Sequence, residues 1–160
     1  MPSMANPMVV LLSLQQSLND GMPIDPTDLD ANSYLTFYDE QPSGSRFSYA
    51  KVVDRQAQAL SIFGVEERVA NLDCFSVGYA VAEEHRGRGL SVEAVNKGLA
   101  DLKRKFGRKM ESFYLEAMID VTNAPSLKTA EKIFSVPGVK TTDDESGTPA
   151  LYFRKLIQVR

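Results

Sequence analysis

From Val77 to Ser91 the chain reads VGYAVAEEHRGRGLS, an apolar run that enters a turn holding Arg86, Gly87, Arg88 and Gly89 and then opens a helical pattern. Glycine at these two places lets backbone N–H groups come close to a ligand. A helix N-terminus just beyond adds its dipole, and the two arginines add charge. Together they make an anion site whose natural guest is a pyrophosphate.

The same turn resembles the acetyl-coenzyme A signature of the GNAT superfamily of N-acetyltransferases: Arg or Gln, two residues, Gly, one residue, then Gly or Ala. Those places hold Arg86, Gly89 and Ser91. A second stretch, EAMIDVTNAPSLKTAEKIF at 116–134, resembles the branch that includes the ribosomal-protein N-acetyltransferases. Its matching positions are Glu116, Ala117, Ile119, Asn123, Ser126, Glu131, Lys132 and Phe134, with Ile133 where that branch usually has Gly. The two motifs stand in the right order and span roughly residues 75–135.

The resemblance implies acetyl-coenzyme A as cosubstrate and no metal. It assigns the backbone of Tyr79, Ala80 and Val81 to the pantetheine amides and the thioester carbonyl, and Arg86, Gly87, Arg88, Gly89, Leu90, Ser91 and Val92 to the pyrophosphate. The Ser91 hydroxyl could add a donor to phosphate. His85, the single histidine, sits where the family often has Tyr. That position is beside the phosphates and away from the acyl carbon, so the ring is expected to face solvent or phosphate instead of serving as a base.

Aminolysis of a thioester needs an uncharged amine, an oxyanion donor and a proton for the departing thiolate. Alternation places Glu116 with Tyr114 and Met118 on one face of a strand, where desolvation would make the carboxylate a stronger base. Pairing with a nearby Arg or Lys is the competing role. Glu66, Glu67 and Asp73 are rival bases that could work through water. Many members of the superfamily carry a thiolate-protonating Tyr at the place held here by Ala130, and the resemblance transfers that task to Ser126, with Asn123 positioning. Both also read as ordinary capping residues, Asn123 at a helix N-cap and Ser126 in the first turn.

These groups need elements to hold them. Residues 7–19 place Val10, Leu11, Leu14 and Leu18 at helical spacing and stop at Asn19-Asp20-Gly21. Strands are expected at 34–38, 46–53, 58–65 and 75–82, with polar turns at 39–44 and a loop at 66–73. Residues 90–106 carry Val92, Val95, Leu99, Leu102 and Phe106 at alternating spacings of three and four, a core-facing helix. A strand at 113–119, a helix at 124–135, a short strand near Val139, an acidic turn at 143–147 and a strand at 151–157 complete the chain. Strand and helix alternating after an antiparallel start gives a mixed α/β sheet, with the glycine turn at a strand's carboxyl end, where open sheets place ligands. The resemblance adds the GNAT-like detail: a mostly antiparallel sheet whose parallel strands four and five splay around the pantetheine arm. The usual first strand and paired helices are not evident before residue 34, so 1–33 is an atypical N-terminal segment of one 1–160 domain.

A formal charge of −3 supplies no global basic field for nucleic acid or an anionic membrane. The cationic cluster Lys103, Arg104, Lys105, Arg108 and Lys109 reads as the last turn of a helix plus a solvated loop. A lone Cys74 fits a reducing cytoplasm, and the apolar run at 8–14 is too short to span a bilayer. The expectation is a cytoplasmic N-acetyltransferase, monomeric or homodimeric. Its acceptor would be a primary amine on a protein N-terminus or a small molecule, and the acidic turn 143–145 could recruit a cationic one. A non-catalytic acyl-coenzyme A-binding regulator and a toxin acetylating aminoacyl-tRNA are the alternatives.

Overall fold

The computed structural model describes residues 6–42 and 44–160, so Ser43 of the expected turn at 39–44 lies outside them. Helix α1 (Pro7–Asn19) begins where the Asn6 side chain accepts the Met8 N–H at 3.0 Å and Pro7 takes a first-turn place that needs no donor. The chain then runs through β1 (Tyr34–Gln41), β2 (Gly44–Val53), β3 (Gln56–Val69) and β4 (Leu72–Val81). Helix α2 (Leu90–Phe106) crosses over to β5 (Ser112–Asp120), and α3 (Ala124–Phe134), β6 (Val139–Thr142) and β7 (Pro149–Gln158) follow. The seven strands form one sheet in the order β1-β2-β3-β4-β5-β7-β6, antiparallel everywhere except β4 against β5.

The loop expected at 66–73 is instead the tip of the β3–β4 hairpin. Ala70 and Asn71 adopt left-handed backbone, φ 50° and 64°, and close it in a tight turn. Glu67 and Arg68 are polar because this end projects past the core, with Arg68 pairing loosely with Asp73 at 3.8 Å. Glu66 is therefore a strand residue opposite Cys74.

Side-chain alternation sorts the sheet into two faces. Phe75 and Val77 on β4 and Phe113, Leu115 and Ala117 on β5 join the core built with Leu90, Ala94, Val95 and Leu102 of α2 and Ala130, Ile133 and Phe134 of α3. Ala80 on β4 and Leu60 and Ile62 on β3 face the other way, against Leu11 and Leu18 of α1. So α2 and α3 cover one face and α1 the other. No helix separates β1 from β2, which pair directly as a hairpin.

The feature that matters for function lies between β4 and β5. Their parallel ladder comprises just three pairs, Cys74 with Tyr114, Phe75 with Leu115 and Ser76 with Glu116. Beyond Ser76 the strands part, while β4 stays paired to β3 as far as Val81.

Candidate active site

The parting of β4 and β5 leaves backbone groups facing a gap, and ladder parity says which ones. Ala82 N–H donates to the Gln58 carbonyl at 2.9 Å, so residues opposite at every second step, Leu60 with Ala80 and Ile62 with Gly78, exchange the β3–β4 hydrogen bonds. Tyr79 and Val81 therefore turn their N–H and C=O away from β3 and into the gap. Ala80 does not: it lines the cleft, but its backbone is committed to β3, which corrects its assignment as a coenzyme-bonding backbone. The Arg86 guanidinium reaches back from the turn, donating to the Val81 carbonyl at 3.4 Å.

The glycine turn has the open geometry that an anion cradle requires. Gly87 and Gly89 sit at φ 80° and 71°, and no heavy atom lies within 4 Å of where a Cβ would be at either one. Gly89 is the N-cap of α2 and no side chain caps it, so the N–H groups of the first turn are free to meet an anion. Glu93, the acid in that first turn, does not oppose this. Its carboxylate accepts from Lys51 at 2.6 Å and from the Tyr34 hydroxyl at 3.1 Å.

Two predicted groups are used differently. The Arg88 guanidinium donates to Nδ1 of His85, whose Nε2 lies 3.3 Å from the Gln56 side-chain oxygen, so Arg88 turns away from the cleft and His85 is tied between two neighbours. The Ser91 hydroxyl lies 2.8 Å from Thr129 Oγ1, which itself donates to the Pro125 carbonyl at 3.2 Å. The Ser91 hydroxyl thus links α2 to α3.

A cleft of about 940 Å³ joins this cradle to the splay point; Arg86, Gly87, Gly89, Leu90, Ser91 and Val92 line one end, and Glu66, Glu116 and Tyr152 the other. Asn123 and Ser126 border it from α3. The Asn123 side chain accepts the Ser126 N–H at 3.3 Å as an N-cap, and the Ser126 carbonyl accepts the Tyr79 hydroxyl at 2.6 Å. With both backbone groups engaged, Ser126 has its hydroxyl to offer the cleft.

Glu116 is 7% exposed and sits in the last β4–β5 pair. Its face, opposite the one covered by α2 and α3, also carries Glu66, Cys74 and Ser76. Glu66 accepts from the Ser76 hydroxyl at 2.8 Å; burial pushes its carboxyl above the usual range, helped by the charge of Glu116. The Cys74 thiol is pushed up to about 12, first by burial and then by Glu116. Tyr152 donates its hydroxyl to Glu116. Asp143, Asp144 and Glu145, from the β6–β7 turn, line the same cleft.

Tyr152 escaped the sequence reading because only the β5–β7 register, Met118 against Tyr152 and Glu116 against Arg154, brings it to Glu116. The cluster at 103–109 proves to be a helix end: Arg104 and Lys105 pair with Asp101, and Lys105 stacks on Phe47. Among the described residues no group of three or more potential ligands could hold a metal ion, and no helix is long and apolar enough to cross a membrane.

A family model described as an acetyltransferase (GNAT) domain matches residues 5–133, which is most of the chain, the whole first motif and the second as far as Ile133. The protein belongs to the GNAT acetyltransferase family. No protein of curated function matches it. Among solved structures, a protein described as a GNAT-family acetyltransferase from Bordetella pertussis is 24% identical, with a TM-score of 0.50 over 71% of this chain and 66% of that one. The ribosomal-protein-S5-alanine acetyltransferase of Vibrio fischeri is 15% identical, with a TM-score of 0.56 over 71% and 61%. The NatC complex, solved with Gag peptide and CoA, is 12% identical, with a TM-score of 0.56 over 69% and 71%. This GNAT chain thus spans just under two thirds of the first two relatives' length. The seven-stranded mixed sheet with its one parallel junction is the GNAT fold.

Proposed function

We propose that this chain is an acetyl-coenzyme A-dependent N-acetyltransferase in which a primary amine, a protein N-terminus or a small-molecule amine, attacks the thioester directly. One observation carries the reading: at a single splay in the sheet, a cradle for phosphates and free strand backbone meet a buried carboxylate presented from the opposite face. The fit to the coenzyme rests on the bare α2 N-terminus, the open space at Gly87 and Gly89, and the gap-facing groups of Tyr79 and Val81. When bound there, the coenzyme supplies an activated acetyl group.

The residues divide the work by face. Arg86, with the backbone of Gly87, Gly89, Leu90, Ser91 and Val92, holds phosphate. Tyr79 and Val81 offer backbone groups to the acyl arm. Glu116 takes a proton from the arriving ammonium, directly or through one water, so that the freed lone pair can form the new C–N bond, and the second N–H proton passes to water as the amide forms. Ser126 donates toward the sulfur as the C–S bond breaks and its electron pair leaves with the thiolate, and Asn123 fixes the turn that carries Ser126. The acids at 143–145 and Glu66 make the acceptor end of the cleft negative, which favours an acceptor that arrives as a cation.

Calorimetry with acetyl-coenzyme A, followed by turnover with spermidine and with an alanine-terminated peptide as probes, tests this. The wild type should bind the coenzyme and acetylate an amine, while Glu116→Gln should lower kcat by about 10²–10⁴-fold and leave coenzyme affinity in place. Wild-type turnover in Glu116→Gln across pH 6 to 9 would refute the assignment of the base.

A further inference from the structure

Glu116 has a partner of its own on a different strand. Tyr152 stands one diagonal step from it across the β5–β7 ladder, lines the same cleft, and donates its hydroxyl to one carboxylate oxygen. Arg154 lies over its ring, with the guanidinium 5.9 Å from the Tyr152 ring centre and 5.3 Å from that of Tyr114. A carboxylate that is 93% shielded from water needs a donor to offset its lost hydration, and a donor fixed by a stacked ring also fixes where the second oxygen points. On the acceptor face Glu116 is approached by Glu66 from β3, Cys74 from β4, Tyr114 on its own strand, and Tyr152 and Arg154 from β7. Of these, Tyr152 donates a hydroxyl bond to it and the Cys74 thiol a weaker one.

We propose that Tyr152 is the positioning residue of this site: its hydroxyl holds one oxygen of Glu116 so that the other is presented to the acceptor amine. This rests on Glu116 being the base. It assigns Tyr152 to the acceptor side, and so separates it from Ser126, which meets the cleft from α3 on the opposite face. Burial and the neighbouring Glu116 both push the Tyr152 phenol upward, as expected of a proton shared with a carboxylate.

The contact and its purpose are tested separately. In protein labelled with ¹³C at the tyrosine ζ carbon, the Tyr152 signal is assigned by its loss in Tyr152→Phe and titrated upward from pH 8. In the wild type it should stay protonated throughout the range in which the protein is folded. In Glu116→Gln, where burial still holds the phenol up but the charged acceptor of its hydroxyl is gone, the Tyr152 resonance should move at every pH in that range. An unmoved signal overturns the proposal. For purpose, Tyr152→Phe should lower kcat by about ten- to a hundred-fold with spermidine or the alanine-terminated peptide, without changing coenzyme affinity. In the Glu116→Gln background the same change should cost nothing further, whereas Tyr114→Phe should be silent in both.

Additive losses would mean that Tyr152 acts on its own and would overturn the positioning role. Should Tyr152→Phe fail to fold, fluorotyrosine placed at position 152 alone replaces it, because a more acidic phenol there changes kcat through the bond to Glu116. Absence of turnover with either probe counts against the amine-acetylation reading, and the titration still decides the Tyr152 contact.

Discussion

Exchanging Gly89 for Gln and for Glu isolates the electrostatics of the phosphate cradle. Both substitutions place a side chain on a residue at φ 71°, which costs about 1–2 kcal/mol of backbone strain in each case. Both also extend into the same open space, since nothing lies within 4 Å of the Cβ position. They differ in a single charge. A carboxylate held about 5 Å from a phosphate in a medium of effective dielectric about 20 repels it by about 3 kcal/mol, more than a hundred-fold in affinity. Calorimetry with coenzyme A at low salt should therefore find Gly89→Glu weaker than Gly89→Gln by about that factor, although without coenzyme Gly89→Glu should melt no lower, since a carboxylate suits a helix N-terminus. In 1 M salt, where the screening length is about 3 Å, the gap should shrink. Equal affinities for the two variants at low salt would mean that no phosphate sits at the α2 N-terminus.

Other outcomes follow from the same geometry. Ser126→Ala should reduce turnover by about 10–10³-fold with coenzyme affinity and melting temperature nearly unchanged; unimpaired turnover would show that the Asn123–Ser126 pair only caps α3. Cys74, buried and with its thiol pushed up to about 12, should resist iodoacetamide at pH 8 until the chain is unfolded, and rapid modification of the folded protein would contradict its burial. Asp101 is opposed by burial, yet hydrogen bonds from Tyr49 and Arg104 and the charge of Lys105 hold its carboxyl below the usual range. Its contribution to stability is thus complete above the ordinary carboxylate value near 4 and disappears as the pH falls through the depressed one. Melting curves should show wild type exceeding Asp101→Asn at pH 7, with the difference fading on acidification.

What the chain disclosed on reading depended on how local the physics was. Helix α2 was legible to the residue because its apolar stripe and glycine entry are both written within one segment. The same holds for α1, with its stripe of Val10, Leu11, Leu14 and Leu18 and its Asn19-Asp20-Gly21 stop. The hairpin at 66–73 was misread because three consecutive charged residues mimic a loop, when they are a strand overhanging the core. Ala80 was placed with Tyr79 and Val81, although ladder parity, set by β3 twenty residues away, turns its backbone the other way. Arg86 and Arg88 are equivalent as letters, and the position of His85 and Gln56 is what diverts one of them. Tyr152 lay furthest from view: it is 36 residues from Glu116, and a one-residue slip of β7 would put it on the other face.

The three-pair junction of β4 and β5 also bears on how the molecule holds itself together. Within the sheet, four strands on one side and three on the other meet through Cys74, Phe75, Ser76 and their partners, and elsewhere the two halves are joined by the core they share under α2 and α3 and by the Tyr79–Ser126 and Ser91–Thr129 bonds. The sheet is thus two plates joined by a short ladder, with a wedge of unpaired rungs between them. A guest that lies along that wedge and bonds to Tyr79 and Val81 stands in for a missing length of strand, spanning from one plate to the other. At a hundred times its dissociation constant, such a guest adds about 2.7 kcal/mol to the stability of the folded chain, so this protein would complete its own sheet with the molecule it consumes.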